Sequence, residues 1–391
     1  MTALLFYSLG SFTGALQAEF GWTRTAISSS FLYTTIALTV ATAPLGWLLD
    51  RIGPRRIAFV SVPALTLSLI LLSQFHGDLL HFHLLFALSG LLGAGTTSVV
   101  YTKVINSHFF RSRGLALGIS LSGLGIAALG LPVLINFAIE LWGWRAGFVA
   151  LAALSLAVLP FAFFGLTDPV KKSVDHRTDA AAPGATRAAA LTSRTFWTLL
   201  VGFVLVGASV PAIIPHMVPM LTDTGMTPAA AAGIAGLIGL GVIAGRLCIG
   251  FLVDRFFAPL VAAPLFLTTA LGCLLIIWGG PALAPLAAVM IGISFGAEAD
   301  LIAFFCGNYF GLRSYGFLYG LIYSVFAIAV SIGPIWVGAF FDRSGNYLGA
   351  LTTVAVMLTL GAAVLLTLPR EQAFAATRAI RPEPEPARAS H

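Results

Sequence analysis

The sequence predicts an all-α integral membrane protein: twelve transmembrane helices in two six-helix bundles related by a parallel repeat. Three observations predict it. Charged residues make up 9% of the 391 positions and hydrophobic residues 58%, against about 25% charged in an ordinary soluble domain. The apolar residues gather into runs of about 20, the length a bilayer core requires. Two residue sets recur at nearly one offset: Gly46, Asp50 and Arg51 return as Gly250, Asp254 and Arg255 after 204 positions, and Gly114, Gly118 and Pro132 return as Gly316, Gly320 and Pro334 after 202.

Helices are the expected form, because lipid offers no partner to free backbone groups and each run is too long for a barrel strand. The first run, residues 1–16, is short: at about 1.5 Å per residue it spans roughly 24 Å, below a core of about 30 Å. Either the start site is misassigned or an N-terminal piece is missing. No basic stretch precedes it, which argues against a signal peptide. Runs near 25–49, 57–74, 82–106, 114–138 and 146–166 complete a first bundle over residues 1–166. Residues 167–194, with Lys171, Lys172 and an Ala/Pro/Gly-rich middle, read as a mobile cytoplasmic linker. Runs near 195–220, 229–252, 258–279, 283–307, 315–340 and 347–368 build a second bundle over 195–369. Pro211, Pro215 and Pro219 are expected to kink the seventh span. Residues 370–391 lack apolar content and are expected to be a disordered cytoplasmic tail. Glycines such as Gly125 in the fifth span and Gly236, Gly239, Gly241 and Gly245 in the eighth are expected to let helices approach closely; packing accounts for most of them, and a moving contact between the bundles is the further reading for the fifth and eighth spans.

The net charge is +6, yet the basic residues follow topology and not nucleic-acid binding. With both termini cytoplasmic, the inner loops and tail hold sixteen Lys and Arg, and the outer loops hold only Arg24, Arg145 and Arg343. That bias sets the orientation of a multi-pass protein of the inner or plasma membrane. Cys248, Cys273 and Cys306 fall inside predicted spans without metal-ligand spacing and read as packing residues.

A few polar groups inside the apolar runs carry the functional reading. Arg246 is expensive in a membrane span and is expected to face a cavity, where its planar fork suits a carboxylate; the alternative is snorkelling or pairing with Asp254. Glu298 and Asp300 lie in the tenth span. Two positions on a helix differ by about 200°, so both are not expected to face one cavity. A carboxyl group held away from water suits proton exchange, and Glu298 lies deeper. His216, among three prolines, is a candidate substrate contact or proton carrier, and Tyr101 is a weaker candidate beside Lys103. Glu19, Trp22, Arg24, Trp144 and Arg145 stand at outer helix ends, where interfacial anchoring accounts for them.

The segment Gly46, Asp50, Arg51, Gly53, Arg55 and Arg56, with its echo Gly250, Asp254 and Arg255, resembles the signature of the major facilitator superfamily. The resemblance covers essentially the whole chain and implies that these residues gate the cytoplasmic side, the aspartate latching onto a helix start in the opposite half. The segment Phe109, Phe110, Arg111 to Gly118, followed by Ser122, Gly123 and Gly125, is similar to the fifth-helix signature of monocarboxylate transporters and their bacterial oxalate/formate relatives. In that group the arginine matched by Arg246 binds a carboxylate. The acidic residue such carriers often have four positions earlier is Val242 here, and their first-helix acidic-glycine-tryptophan signature is either absent or lost with a missing N-terminal piece, as is any first-helix lysine.

The expectation is therefore a secondary active transporter of a small organic anion, most simply a carboxylate, coupled to protons and working by alternating access as a monomer. Arg246, His216 and Tyr101 would bind substrate, and Glu298 and Asp300 would carry protons. No cofactor, metal or nucleic acid is implied. An exporter of hydrophobic or drug-like compounds and a transporter-like membrane sensor are the alternatives. An ATP-driven pump lacks its phosphate-binding loop, and a membrane enzyme lacks its cluster of catalytic side chains.

Overall fold

The computed structural model describes residues 3–97, 113–161, 185–253, 255–311 and 314–369. Among these, twelve helical spans follow in the predicted order. The first bundle holds α1 (Ala3–Phe20), α2 (Ser30–Ile52), α3 (Pro54–Ser73), α4 (Leu79–Thr96), α5 (Arg113–Trp142) and α6 (Trp144–Phe161). The second holds α7 (Arg194–Thr222), α8 (Pro228–Val253), α9 (Ala258–Gly279), α10 (Ala284–Phe310), α11 (Tyr315–Ser344) and α12 (Leu348–Leu366). Ten of the described helices are long and apolar enough to cross a bilayer on composition alone, and α1 and α2 complete the set.

The structure explains why α1 reads as short. The helix continues through Gln17 and Glu19 to Phe20, giving 18 residues, or about 27 Å. Most of it faces protein: Leu9, Phe12 and Leu16 are buried, and so are Ser8, Ser11 and Thr13. A helix shielded from lipid can carry hydroxyls, whose protons return to backbone carbonyls one turn back, as Ser8 Oγ does to Leu4 O at 2.5 Å.

The repeat seen in the sequence is also a repeat of contacts. In the first bundle a Cβ on Gly90 of α4 would stand 2.4 Å from Thr34 O of α2; in the second, a Cβ on Gly292 of α10 would stand 2.1 Å from Ile238 O of α8. Thr34 and Ile238 are 204 positions apart, and Gly90 and Gly292 are 202 apart. Likewise, Pro132 O of α5 accepts from Ser11 Oγ of α1 at 3.4 Å, and Pro334 O of α11 pairs with His216 of α7 at 2.8 Å. Only glycine permits helix backbones this close, which is how membrane helices gain packing without a hydrophobic drive.

The two bundles touch through α5 and α8, α1 and α7, and α2 and α11. Gly239 of α8 lies against Gly125 O and Leu129 of α5, and Gly236 lies against Leu129 O, so this contact is backbone on backbone. Gly10 of α1 packs on Pro215 O, where α7 breaks into Arg194–Gly207, Val210–Ile213 and Met217–Thr222 around the 3-10 turn Ile214–His216. The expected kink is thus present, and its cause is the proline spacing. Thr35 of α2 meets Ser331 of α11 at 2.6 Å, and Gly338 of α11 packs on the backbone of Arg24 and Thr25.

At the opposite face, the turn from α2 to α3 needs Gly53, whose φ of +84° strains any other residue, and Pro54 then starts α3 at a position that requires no N–H. The end of the linker stretch is ordered on the second bundle. Ala185 N donates to Phe310 O at 2.9 Å, Ser314 Oγ donates to Ala185 O at 3.0 Å, and the short helix Arg187–Leu191 buries Ala190.

Candidate functional site

Two clusters of buried polar groups stand where the bundles meet. The first is built on α8 and α10, which Gly241, Gly245, Gly292 and Gly296 bring into backbone contact. That approach sets Arg246 beside the tenth-span carboxylates. Arg246 Nη1 donates to Asp300 Oδ2 at 3.3 Å, with the arginine side chain 12% exposed and the aspartate 49%. The contact is single and long, and Arg246 Nε is buried without a partner. Glu298 is 3% exposed and its Oε2 likewise lacks a partner.

Both carboxylates stand within electrostatic reach of Arg246. Residues two apart point to different sides of a helix, and the two carboxylates differ in setting, the Asp300 side chain being 49% exposed and Glu298 buried. Asp300 takes the hydrogen bond and Glu298 the buried place. Tyr7 of α1 and Tyr323 of α11 lie within the same electrostatic range, so the opposite bundle contributes to the surroundings of Arg246. Unpaired buried donors and acceptors cost about 1–3 kcal/mol each, and Arg246 Nε and Glu298 Oε2 are two such atoms. A separate cavity of about 350 Å³, bounded by Ser193, Arg194, Thr195, Thr198, Thr367 and Pro369, shares no residue with it.

The second cluster closes the opposite face. Arg24, in the short helix Arg24–Ser28 that leads into α2, sends Nη1 to Asp223 Oδ2 at 2.6 Å and Nη2 to Asp223 Oδ1 at 2.7 Å. The same guanidinium donates to Tyr347 Oη at 2.5 Å and to Gln17 Oε1 at 3.3 Å, and it covers the Phe341 ring at 3.7 Å. Asp342 at the end of α11 accepts from the backbone N–H groups of Arg24 (3.1 Å) and Thr25 (2.9 Å). One basic residue of the first half is therefore clamped by two acidic residues of the second, and it is only 6% exposed. This corrects the interfacial-anchor expectation for Arg24. Glu19, Trp144 and Arg145 do pair among themselves near that surface, Arg145 Nη2 meeting Glu19 Oε1 at 2.7 Å.

His216 belongs to this seal. Its Nε2 lies 2.8 Å from Pro334 O and 3.3 Å from Ser28 Oγ, and its Nδ1 lies 3.2 Å from Tyr347 Oη. A carbonyl can only accept, so the network assigns the proton to Nε2 and leaves Nδ1 to accept from the tyrosine hydroxyl. Arg24, Tyr347, His216 and Pro334 thus form one chain of hydrogen bonds across the two halves.

Tyr101, Lys103 and Asp254 lie outside the described residues, and of Gly46 and Asp50 only the helical backbone is described. Arg51, Arg55 and Arg56 flank the α2–α3 turn, and Arg255 lies over the Phe251 ring at 3.4 Å just beyond α8. Gly250 meets no neighbour within 4 Å that a Cβ would disturb. Sequence reasoning missed Arg24 and Tyr7. The available signal for Arg24 was that it has acidic counterparts, Asp223 and Asp342, at the ends of the seventh and eleventh spans on the same predicted side.

Two six-helix bundles related by a repeat, meeting at a buried ionic cluster and sealed at one end, define a secondary transporter of small organic solutes. The chain belongs to the Major Facilitator Superfamily, whose family model matches residues 1–334. It is a multi-pass transport protein and not an enzyme. Among curated proteins it is similar to monocarboxylate transporter 11 of Homo sapiens, 27% identical over 350 residues that cover 86% of this chain and 73% of that one. It is also 27% identical to monocarboxylate transporter 13 of Bos taurus, over 96% of this chain and 88% of that one. Its fold matches the crystal structure of a bacterial homologue of the human lysosomal transporter Spinster in an inward-facing, unoccupied conformation, with a TM-score of 0.64, 16% identity, and coverage of 97% and 95%.

Proposed function

We propose that this chain moves a small organic anion, most simply a carboxylate, together with a proton by alternating access. The observation that carries the reading is the half-satisfied pair of Arg246 and Asp300, with Glu298 buried beside it. A carboxylate offers two acceptors in the geometry a guanidinium fork binds best. An anion entering alone would add uncompensated charge to a buried site. A proton taken by Asp300 or Glu298 keeps the cluster's total charge unchanged, and a neutral Asp300 frees Arg246 for the substrate. Proton and anion then cross together.

The relatives named as monocarboxylate transporters support the carboxylate assignment. The charge bias of the loops supports an inner or plasma membrane location with both termini in the cytoplasm. In that orientation the Arg24 seal is the outer gate. Gly46, Asp50, Arg51, Gly53, Arg55, Arg56, Gly250, Asp254 and Arg255 form the inner gate of the reverse state. His216 acts in the outer gate, Tyr101 stands as a further substrate contact, and the chain works as a monomer.

Uptake of labelled short organic acids into proteoliposomes tests the reading. An inside-alkaline pH gradient should drive accumulation by the wild type and not by Arg246→Ala. Accumulation that ignores the pH gradient, or that survives loss of Arg246, would overturn it.

A further inference from the structure

Three tyrosines repeat at four-residue spacing on α11. The rings of Tyr315 and Tyr319 stack at 5.7 Å with 2° between planes, those of Tyr319 and Tyr323 at 5.5 Å and 27°, and Tyr323 leads on to Phe326 at 5.9 Å. Every fourth residue stays near one helix face, drifting about 40° per step, so the stripe climbs from the start of α11 roughly 12 Å inward. At its inner end Tyr323, 40% exposed, lies within electrostatic reach of Glu298, Arg246 and Asp300, and Tyr319 lies within reach of Asp300. A belt of interfacial tyrosines accounts for Tyr315 alone. The deeper two stand within electrostatic reach of the tenth-helix carboxylates, Tyr319 of half-exposed Asp300 and Tyr323 of both Asp300 and buried Glu298, a place where lipid anchoring has no use.

A second aromatic group stands beside the cluster. Phe295, one turn before Glu298, stacks on Phe6 of α1 at 5.8 Å and 16°, and the Tyr7 ring meets it edge-on at 6.0 Å. Phe31 of α2 closes on Phe6 at 5.0 Å. Aromatic rings from both bundles thus gather one helical turn from Glu298, with Tyr7 in electrostatic reach of Arg246. Short acids such as pyruvate have nothing to offer these surfaces.

Resting on the carboxylate reading above, we propose that the Tyr315, Tyr319 and Tyr323 ladder is a specificity element that selects carboxylic acids bearing a planar apolar body, with the carboxylate on Arg246 and the body against the rings. An aromatic ring stacked on one tyrosine corresponds to roughly two- to tenfold in affinity. The ring, and not the hydroxyl, does the selecting.

The test is uptake of pyruvate and of phenylpyruvate, which share one headgroup, by the full chain in proteoliposomes, corrected for protein-free liposomes. The variants are Tyr319→Leu, Tyr323→Leu, Tyr319→Phe and Tyr323→Phe, each checked for unchanged size-exclusion elution. The wild type should show a KM for phenylpyruvate at least about tenfold below that for pyruvate. Each Leu variant should raise the phenylpyruvate KM about fivefold and leave the pyruvate KM within about twofold, and each Phe variant should keep the preference. Equal KM values for the two acids, or a parallel loss of both in the Leu variants, would overturn the proposal while leaving the carboxylate reading intact. Uptake of neither acid in an Arg246-dependent way would overturn both.

Discussion

Arg246 and Asp300 meet through a single contact of 3.3 Å between α8 and α10, and Arg246 Nε is buried without a partner. A fully built structural ion pair would be bidentate, as Arg24 and Asp223 are. The looser pair is the one we propose exchanges its partner.

Asp300→Asn follows from this. It keeps the shape and removes the exchangeable charge, so Arg246 stays available at every pH. Uptake by this variant is expected to lose most of its dependence on the imposed pH gradient and to keep exchange of labelled for unlabelled acid. Gradient-driven accumulation equal to wild type would assign the proton elsewhere.

Glu298→Gln probes the buried carboxyl. If Glu298 carries the proton in place of Asp300, this variant alone loses accumulation, by about tenfold or more, with exchange preserved. Comparing the two variants under one pH gradient identifies the carrier, and full coupling in both would remove proton symport from the account.

The Arg24 seal predicts a conformational effect. Removing one member of a hydrogen-bonded, largely buried charge pair costs about 2 kcal/mol or more, taken at the low end because Asp223 is about a third exposed. Arg24→Ala should therefore open this face at least about tenfold more often. The readout is labelling of a Ser28→Cys probe by an impermeant maleimide, with Cys248, Cys273 and Cys306 replaced by serine. Unchanged labelling would mean the ionic clamp does not hold the gate.

Two glycines separate packing from motion. A Cβ on Gly239 would lie 2.2 Å from Gly125 O across the bundles, and one on Gly292 would lie 2.1 Å from Ile238 O within a bundle. Gly239→Ala should cut transport with a thermal midpoint close to wild type. Gly292→Ala should lower the midpoint by several degrees. Gly123→Ala, with nothing within 4 Å, is the neutral control. Equal effects of the first two on the midpoint would contradict the assignment of Gly239 to a moving contact.

Much of the fold was legible because lipid makes apolar length decisive and because the repeat keeps its offsets. The same offsets reappear as helix contacts at Gly90 and Gly292. The limits of α1 were less legible, since a helix buried among other helices has no need of a fully apolar surface. Arg246, Glu298 and Asp300 stood out as charges in spans. Their mutual geometry did not, because it depends on how closely Gly241 and Gly296 let α8 and α10 approach. Arg24 was misread for a related reason: its partners are 199 and 318 positions away, and a charge at a helix end looks like an anchor until the opposite bundle is in place.

Ligand-dependent thermal stability of the purified chain tests the central claim most directly, because a bound acid stabilises the fold in proportion to its affinity and concentration. The account predicts a saturable rise in the midpoint with a carboxylic acid for the wild type, a weaker rise for Arg246→Lys, which keeps the charge and loses the fork, and none for Arg246→Ala. An equal rise in all three proteins would contradict it.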